Sequence, residues 1–224
     1  MPEMSSIFDM IGPVMIGPSS SHTAGVARIG RVARSIMGGD MDKAVITFYN
    51  SFARTYEGHG SDRAIIAGLM GMAPDDDRLK DSLQIAEKQG FRYQFKASAN
   101  ASALHPNSIR IQMESDEKKV IVLGVSRGGG LISIVEIDGF ACNFTSQVPT
   151  LVITAQDKAG SIAFISNIIQ NEGCNVGTLT VNRKGKHDMA KLVFELDSEM
   201  RPLSLQYLES LEWVRQVQYL ESIA

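Results

Sequence analysis

Between Phe91 and Gly139 the chain leaves helical spacing behind. FRYQFKA, SIRIQMES, KKVIVLGVS and LISIVEIDG alternate apolar and polar residues or run apolar over short lengths. A period of two marks half-buried strands, and four such runs in succession predict an antiparallel sheet. A sheet of this kind buries one face against helices. The best partner for that face lies upstream, in a helix from about Ser21. It carries Val26, Ile29, Ala33 and Ile36 on one side, Arg28, Arg31 and Arg34 on another, and Gly38-Gly39 as its stop.

The rest of the first half fits the same architecture. A short amphipathic opening holds Ile7, Phe8 and Ile11, and KAVITFYN, residues 43–50, is a strand. SDRAIIAGLMGM reads as a helix capped by Ser61, and DDRLKDSLQIAEKQ as a second helix closed by Gly90. The proline of SQVPT then breaks the pattern, which sets two domains, 1–147 and 148–224. The second domain reads strand (150–155), helix (160–171), strand (175–182), strand (189–196), helix (203–211), strand (214–219). That βαββαβ order is the ferredoxin-like motif, so the fold class is α+β, a mixed α/β domain followed by a ferredoxin-like one.

Charge and cysteine content narrow the function. A formal net charge of −3 offers no basic field, which argues against nucleic acid or an anionic membrane as the main partner. No long apolar run and no secretory start appear, so a cytoplasmic location is expected. Cys142 and Cys174 stand far apart in sequence, which leaves no disulfide framework and no thiolate metal site within this chain.

The histidines are better placed for chemistry. His22, His59 and His105 each sit beside Gly, Pro, Ser or Asn in loops or helix starts, consistent with one shared site. In GPSSSHTAG, the residues Ser19, Ser20, Ser21, His22 and Thr23 crowd the start of the first helix. One hydroxyl suffices to cap a helix, so the excess points to a bound carboxylate or phosphate at the N–H groups. In YEGHGSDRA, His59 lies between Gly58 and Gly60, a setting that lets an imidazole project into a cleft and move a proton near neutral pH. The alternative is a glycine-rich turn that contains a histidine. In LHPNS, His105 and Asn107 flank a proline-fixed turn, and either bind a carboxylate or tie down a loop. SRGGG, residues 126–130, is a hairpin turn with backbone N–H groups open to an anion as a weaker reading.

Two resemblances follow from these motifs. AQDKAGSIAFISNIIQNEGCNV resembles the ACT family of amino-acid-sensing domains: Asp157, Lys158 and Gly160 open a helix, and Ile162, Ile165, Ile168 and Ile169 face the sheet. The likeness runs from Val148 to about Glu221, with Ala159 where the family most often has proline. It implies effector binding at Asp157, Lys158 and Gly160, a homodimer formed through the ACT sheet, or both. The whole chain, with GPSSSHTAG as its most specific piece, is similar to the beta-subunit family of the two-chain bacterial iron–sulfur L-serine dehydratases.

That similarity implies conversion of L-serine to pyruvate and ammonia at a [4Fe-4S] cluster whose ligands belong to a partner alpha subunit. It also implies a first domain of the allosteric-substrate-binding type. β-Elimination needs a base for the Cα proton, and His59 is the first choice, with His105 next. Ser19, Ser20, Ser21, His22, Thr23 and Asn107 are then the substrate contacts. The rival reading is a non-catalytic regulatory protein that senses serine or a small anion.

Overall fold

The computed structural model describes residues 14–39, 41–101 and 103–223, so the amphipathic opening at Ile7, Phe8 and Ile11 lies outside the described residues. The chain divides into two compact units, Met1–Asp138 and Gly139–Ala224. The division drawn from the sequence at 147/148 falls inside the second unit.

In the first unit, helix α1 (Gly25–Met37) buries Val26, Ile29, Val32, Ala33 and Ile36, and ends where Gly38 takes a left-handed φ of 85°. The Gly38 N–H there reaches Arg34 O and Ser35 O, a turn a side chain would strain. Strand β1 (Lys43–Tyr49) is followed by three short helices, α2 (Asn50–Thr55), α3 (Ser61–Leu69) and α4 (Ser82–Lys88). Strands β2 (Arg92–Ser98), β3 (Ser108–Glu114), β4 (Lys119–Gly128) and β5 (Leu131–Ile137) complete the sheet, in the order β2-β1-β3-β4-β5. Ala44, Ile46, Phe48, Ile109, Ile111, Met113 and Val122 are buried.

Three sequence expectations need correction here. FRYQFKA does not join an antiparallel run: β2 pairs parallel with β1, Lys43 opposite Arg92 and Tyr49 opposite Ser98. The helices between the two strands form a crossover that brings the chain back to the same end of the sheet, and only a parallel strand can follow. The helix expected over 76–89 is a 3₁₀ turn (Asp77–Asp81) followed by α4, because the Asp76 carboxylate accepts Arg78 N at 2.9 Å and caps a tighter turn. Ser61 does not cap α3. Gly60, at φ 69°, occupies that place, and the Ser61 hydroxyl donates to His22 O at 2.8 Å.

The second unit contains a short strand β6 (Phe140–Phe144), then β7 (Thr150–Gln156), α5 (Ser161–Asn171), β8 (Val176–Arg183), β9 (Met189–Leu196), α6 (Pro202–Glu209) and β10 (Val214–Leu220). Strands β10-β7-β9-β8 pair antiparallel throughout, the ferredoxin-like arrangement expected of an ACT module. Leu151, Ile153, Leu192 and Phe194 meet Ile165, Ile169 and Leu208 in one core. Ile168 packs against that core, whereas Ile162, 43% exposed, lines a cleft with the strand residues Val181 and Leu192 and stays outside the core.

The two helices of this unit are tied at their ends. Glu172, after α5, accepts hydrogen bonds from Arg201 N (3.2 Å), Nε (2.8 Å) and Nη2 (2.9 Å), and from Ser204 Oγ. The Arg201 contacts, then Ser204, hold the Glu172 carboxyl down at about 2. A depressed carboxylate stabilises the fold above its unfolded pKa and stops doing so as pH falls through its folded one. Glu172→Gln is therefore expected to melt below the wild type at pH 7, with the gap closing as pH falls from about 4 toward 2. Thermal melts across that window check it, and a pH-independent gap contradicts it.

Candidate active site

The site starts from a turn wider than an α-helix. Ser20–Ala24 is a π-helical turn in which the Gly25 N–H reaches back to Ser20 O, running straight into α1. Ser19 is its N-cap, with Oγ accepting from His22 N at 3.2 Å. The extra residue in a π turn displaces side chains from helical register, a device common at functional sites. Gly25 has no side chain for a reason: a Cβ there would collide with Ser126 Oγ, which donates to Ser21 O at 2.9 Å.

His22 is held on both ring nitrogens. Nδ1 lies 2.9 Å from Ser21 Oγ and 3.3 Å from Ser19 Oγ, and Nε2 lies 3.1 Å from Thr55 Oγ1. Its ring meets Phe52 and His59 edge-on, each with centroids 4.7 Å apart. Burial, and then the neighbouring His59, push the His22 pKa below the usual imidazole value.

His59 is fixed through its backbone. Its N–H reaches Thr55 O at 3.1 Å, and its carbonyl accepts from Thr23 Oγ1 at 3.3 Å. Its Nδ1 is buried with no hydrogen-bond partner among the described residues. A buried imidazole nitrogen left unpaired is costly, and a bound substrate is one way to satisfy it. The residue lines a cleft of about 180 Å³ with Gly17, Thr23, Arg63 and Lys80.

His105 and Asn107 reach this cluster at one remove. Asn50, at a left-handed φ of 51°, holds the preceding loop through Ala101 N (2.9 Å), Ala101 O (2.9 Å) and Leu104 O (3.1 Å). Pro106 O accepts Ser51 N at 3.0 Å, and Asn107 O accepts Ser126 N at 3.0 Å. Ser126 thus joins the two halves, since its amide takes Asn107 and its hydroxyl takes Ser21. His105 is exposed and its Nδ1 accepts Asn107 N at 3.1 Å, which leaves the hydrogen of the neutral ring on Nε2 as a donor. Partial burial, then Arg127, lower its pKa.

The structure therefore gathers Ser19, Ser21, His22, Thr23 and His59 into one contact network and links His105–Asn107 to it through Ser126. Among the described residues, neither the Ser20 hydroxyl nor the Asn107 carboxamide makes a hydrogen bond. The sequence motifs do not place Asn50, Thr55 or Ser61 at the site, and they give Ser126 only as the start of the SRGGG turn. Thr55 had a signal, lying four residues before His59, and Ser126 opens SRGGG, but the contact of Thr55 with His22 and those of Ser126 with Ser21 and Asn107 join distant segments.

In the second unit, Asp157 is already engaged: its carboxylate takes Arg183 Nη1 at 2.9 Å and His187 N at 3.1 Å. Lys158 and Gly160 line a cleft of about 460 Å³ with Ser161 and Leu192. Cys142 and Cys174 are buried and form no disulfide, and Cys174 Sγ lies 3.3 Å from Glu199 O. Among the described residues no three His, Cys, Asp or Glu side chains converge as metal ligands, so these residues do not fit the ligation of an iron–sulfur cluster. No helix among them is long and apolar enough to cross a membrane.

Fold and site together define a two-unit α+β chain in which a histidine–hydroxyl cluster forms at a π-helical turn, ahead of a ferredoxin-like unit. The chain belongs to the serine dehydratase beta chain family, whose model matches residues 6–136. It is 42% identical over 95% of its length, and 96% of the relative's, to the probable L-serine dehydratase beta chain of Bacillus subtilis. It is 35% identical to the L-serine dehydratase beta chain of Peptoniphilus asaccharolyticus, covering 87% of this chain and 88% of that one. The ACT domain of GTP pyrophosphokinase from Chlorobium tepidum matches 32% of this chain and 95% of its own, at 19% identity and a TM-score of 0.28.

Proposed function

We propose that this chain is the beta subunit of an L-serine ammonia-lyase, which, once an alpha subunit is bound, eliminates water from L-serine to give aminoacrylate, whose imine tautomer takes up water to yield pyruvate and ammonia. The observation that carries the reading is the buried, unpartnered Nδ1 of His59, in a residue that lines a cleft beside a network of hydroxyls. His59 takes the Cα proton, with His105 the next candidate. The Ser20 hydroxyl and the Asn107 carboxamide donate to the carboxylate. Ser19, His22 and Thr23 hold the turn on which these groups stand. In this reading a [4Fe-4S] cluster would be held by the alpha subunit and would supply Lewis-acid help to the departing hydroxide.

The domains keep the assignment 1–147 for the allosteric-substrate-binding type and 148–224 for the ACT module. The second assembles homodimers, supported by exposed Leu179 and Val181 on its edge strand β8. Light scattering of Leu179→Lys against the wild type reads this, and an unchanged dimer moves the interface elsewhere. Lys158 and Gly160 are the effector contacts, with Asp157 shaping their loop.

The test of function is reconstitution. Mixed anaerobically with its alpha partner, the chain is expected to yield pyruvate from L-serine, and alone to yield none. Activity of the alpha partner without this chain overturns the catalytic role.

A further inference from the structure

Thr55 closes α2, and its Oγ1 donates to Ser51 O at 2.9 Å while lying 3.1 Å from His22 Nε2. A hydroxyl has one hydrogen, and here the Ser51 carbonyl takes it. Toward His22 the Thr55 oxygen is therefore an acceptor. We propose that Thr55 is a positioning residue that holds His22 as its Nε2–H tautomer, so that Ser21 donates to Nδ1 and offers its oxygen lone pairs to the substrate's ammonium group.

The opposite tautomer is disfavoured by the same contacts. It would set a bare Nε2 against an oxygen whose hydrogen is already committed, lone pair facing lone pair. With hydrogen on Nε2, Nδ1 becomes the acceptor for Ser21 Oγ at 2.9 Å. The edge contacts with Phe52 and His59 fix the ring plane. Burial, and then His59, lower the ring's pKa and so favour its neutral form.

The consequence is a polarity. A Ser21 oxygen whose hydrogen points at His22 can accept from a cation but cannot donate to a carboxylate. The two charged ends of an amino acid are thereby told apart, the ammonium at Ser21 and the carboxylate at the Ser20 and Asn107 donors. This half of the inference rests on the dehydratase reading; the tautomer does not.

Two measurements test it. ¹⁵N correlations of histidine-labelled full chain are expected to show His22 as Nε2–H in the wild type and in Thr55→Ser, and as a mixture containing Nδ1–H in Thr55→Val. In the reconstituted complex, Thr55→Val is expected to raise KM for L-serine about tenfold, the scale of one hydrogen bond, with a smaller change in kcat, and Thr55→Ser to restore it. An Nδ1–H signal in the wild type overturns the proposal, as does a Thr55→Val chain with unchanged tautomer and KM. Should Thr55→Val fail to melt cooperatively, the wild-type and Thr55→Ser spectra decide alone. A complex that makes no pyruvate removes the ammonium assignment along with the dehydratase reading, while the spectra still decide the tautomer.

Discussion

His59→Ala in the complex with the alpha subunit is expected to lower kcat for L-serine by roughly 10²- to 10⁴-fold, the usual contribution of a positioned general base, with KM little changed. The backbone contacts of His59 to Thr55 and Thr23 survive the substitution, so the loop should keep its place. The buried Nδ1 that lacks a partner disappears, and with it the group that takes the Cα proton. His22→Ala is expected to act differently. It removes the partner of Ser19, Ser21 and Thr55 at once, and so weakens binding as well as turnover. His105→Ala is the control. Full speed in His59→Ala with a dead His105→Ala transfers the base to His105. Full activity in all three variants returns the first domain to a regulatory role.

Gly68→Ala is expected to cost the fold about 2 kcal/mol or more, although alanine is the better helix former. Gly68 lies in α3 against α1, and a Cβ there would run into the Ala27 carbonyl and come within 2.9 Å of Gly30 Cα. Gly30 faces it in the same way, its own Cβ position lying 2.8 Å from Ile65 O. Helix propensity returns about 1 kcal/mol on Gly→Ala. Overpacking against a flexible side chain costs about 1–3 kcal/mol, and here the obstacle is backbone, which cannot rotate away. The clash wins. With about 2–4 °C per kcal/mol for a chain of this length, Tm should fall by roughly 4–8 °C. Ser35→Ala, on the exposed side of α1, should leave it within a degree or two. A Gly68→Ala protein as stable as the wild type would show that the helices can separate without loss.

Much of this molecule was legible in the order of its residues. The βαββαβ succession, the apolar stripe of α1 and its glycine stop are local patterns, each set by period and turn chemistry within a few residues. The family was legible too, because GPSSSHTAG, GHGSD and HPNS stand as unbroken strings. The same locality explains the misses. Whether FRYQFKA runs parallel or antiparallel depends on the path of three helices, and the pattern within the strand is the same either way. Ser61 has the residue type and position of a helix cap, yet its hydroxyl went to a carbonyl thirty-nine positions away.

The site divides along the same line. The sequence by itself determined which groups are available: three histidines, a run of hydroxyls, and glycines that leave His59 room. Only the tertiary structure decided how they are paired. It set Thr55 against His22 Nε2, put Ser126 between Ser21 and Asn107, and left His59 Nδ1 buried without a partner among the described residues. Hydrogen bonds fix donor and acceptor only when both ends are in place, and here the two ends come from segments joined by the packing of α1, α2 and the sheet.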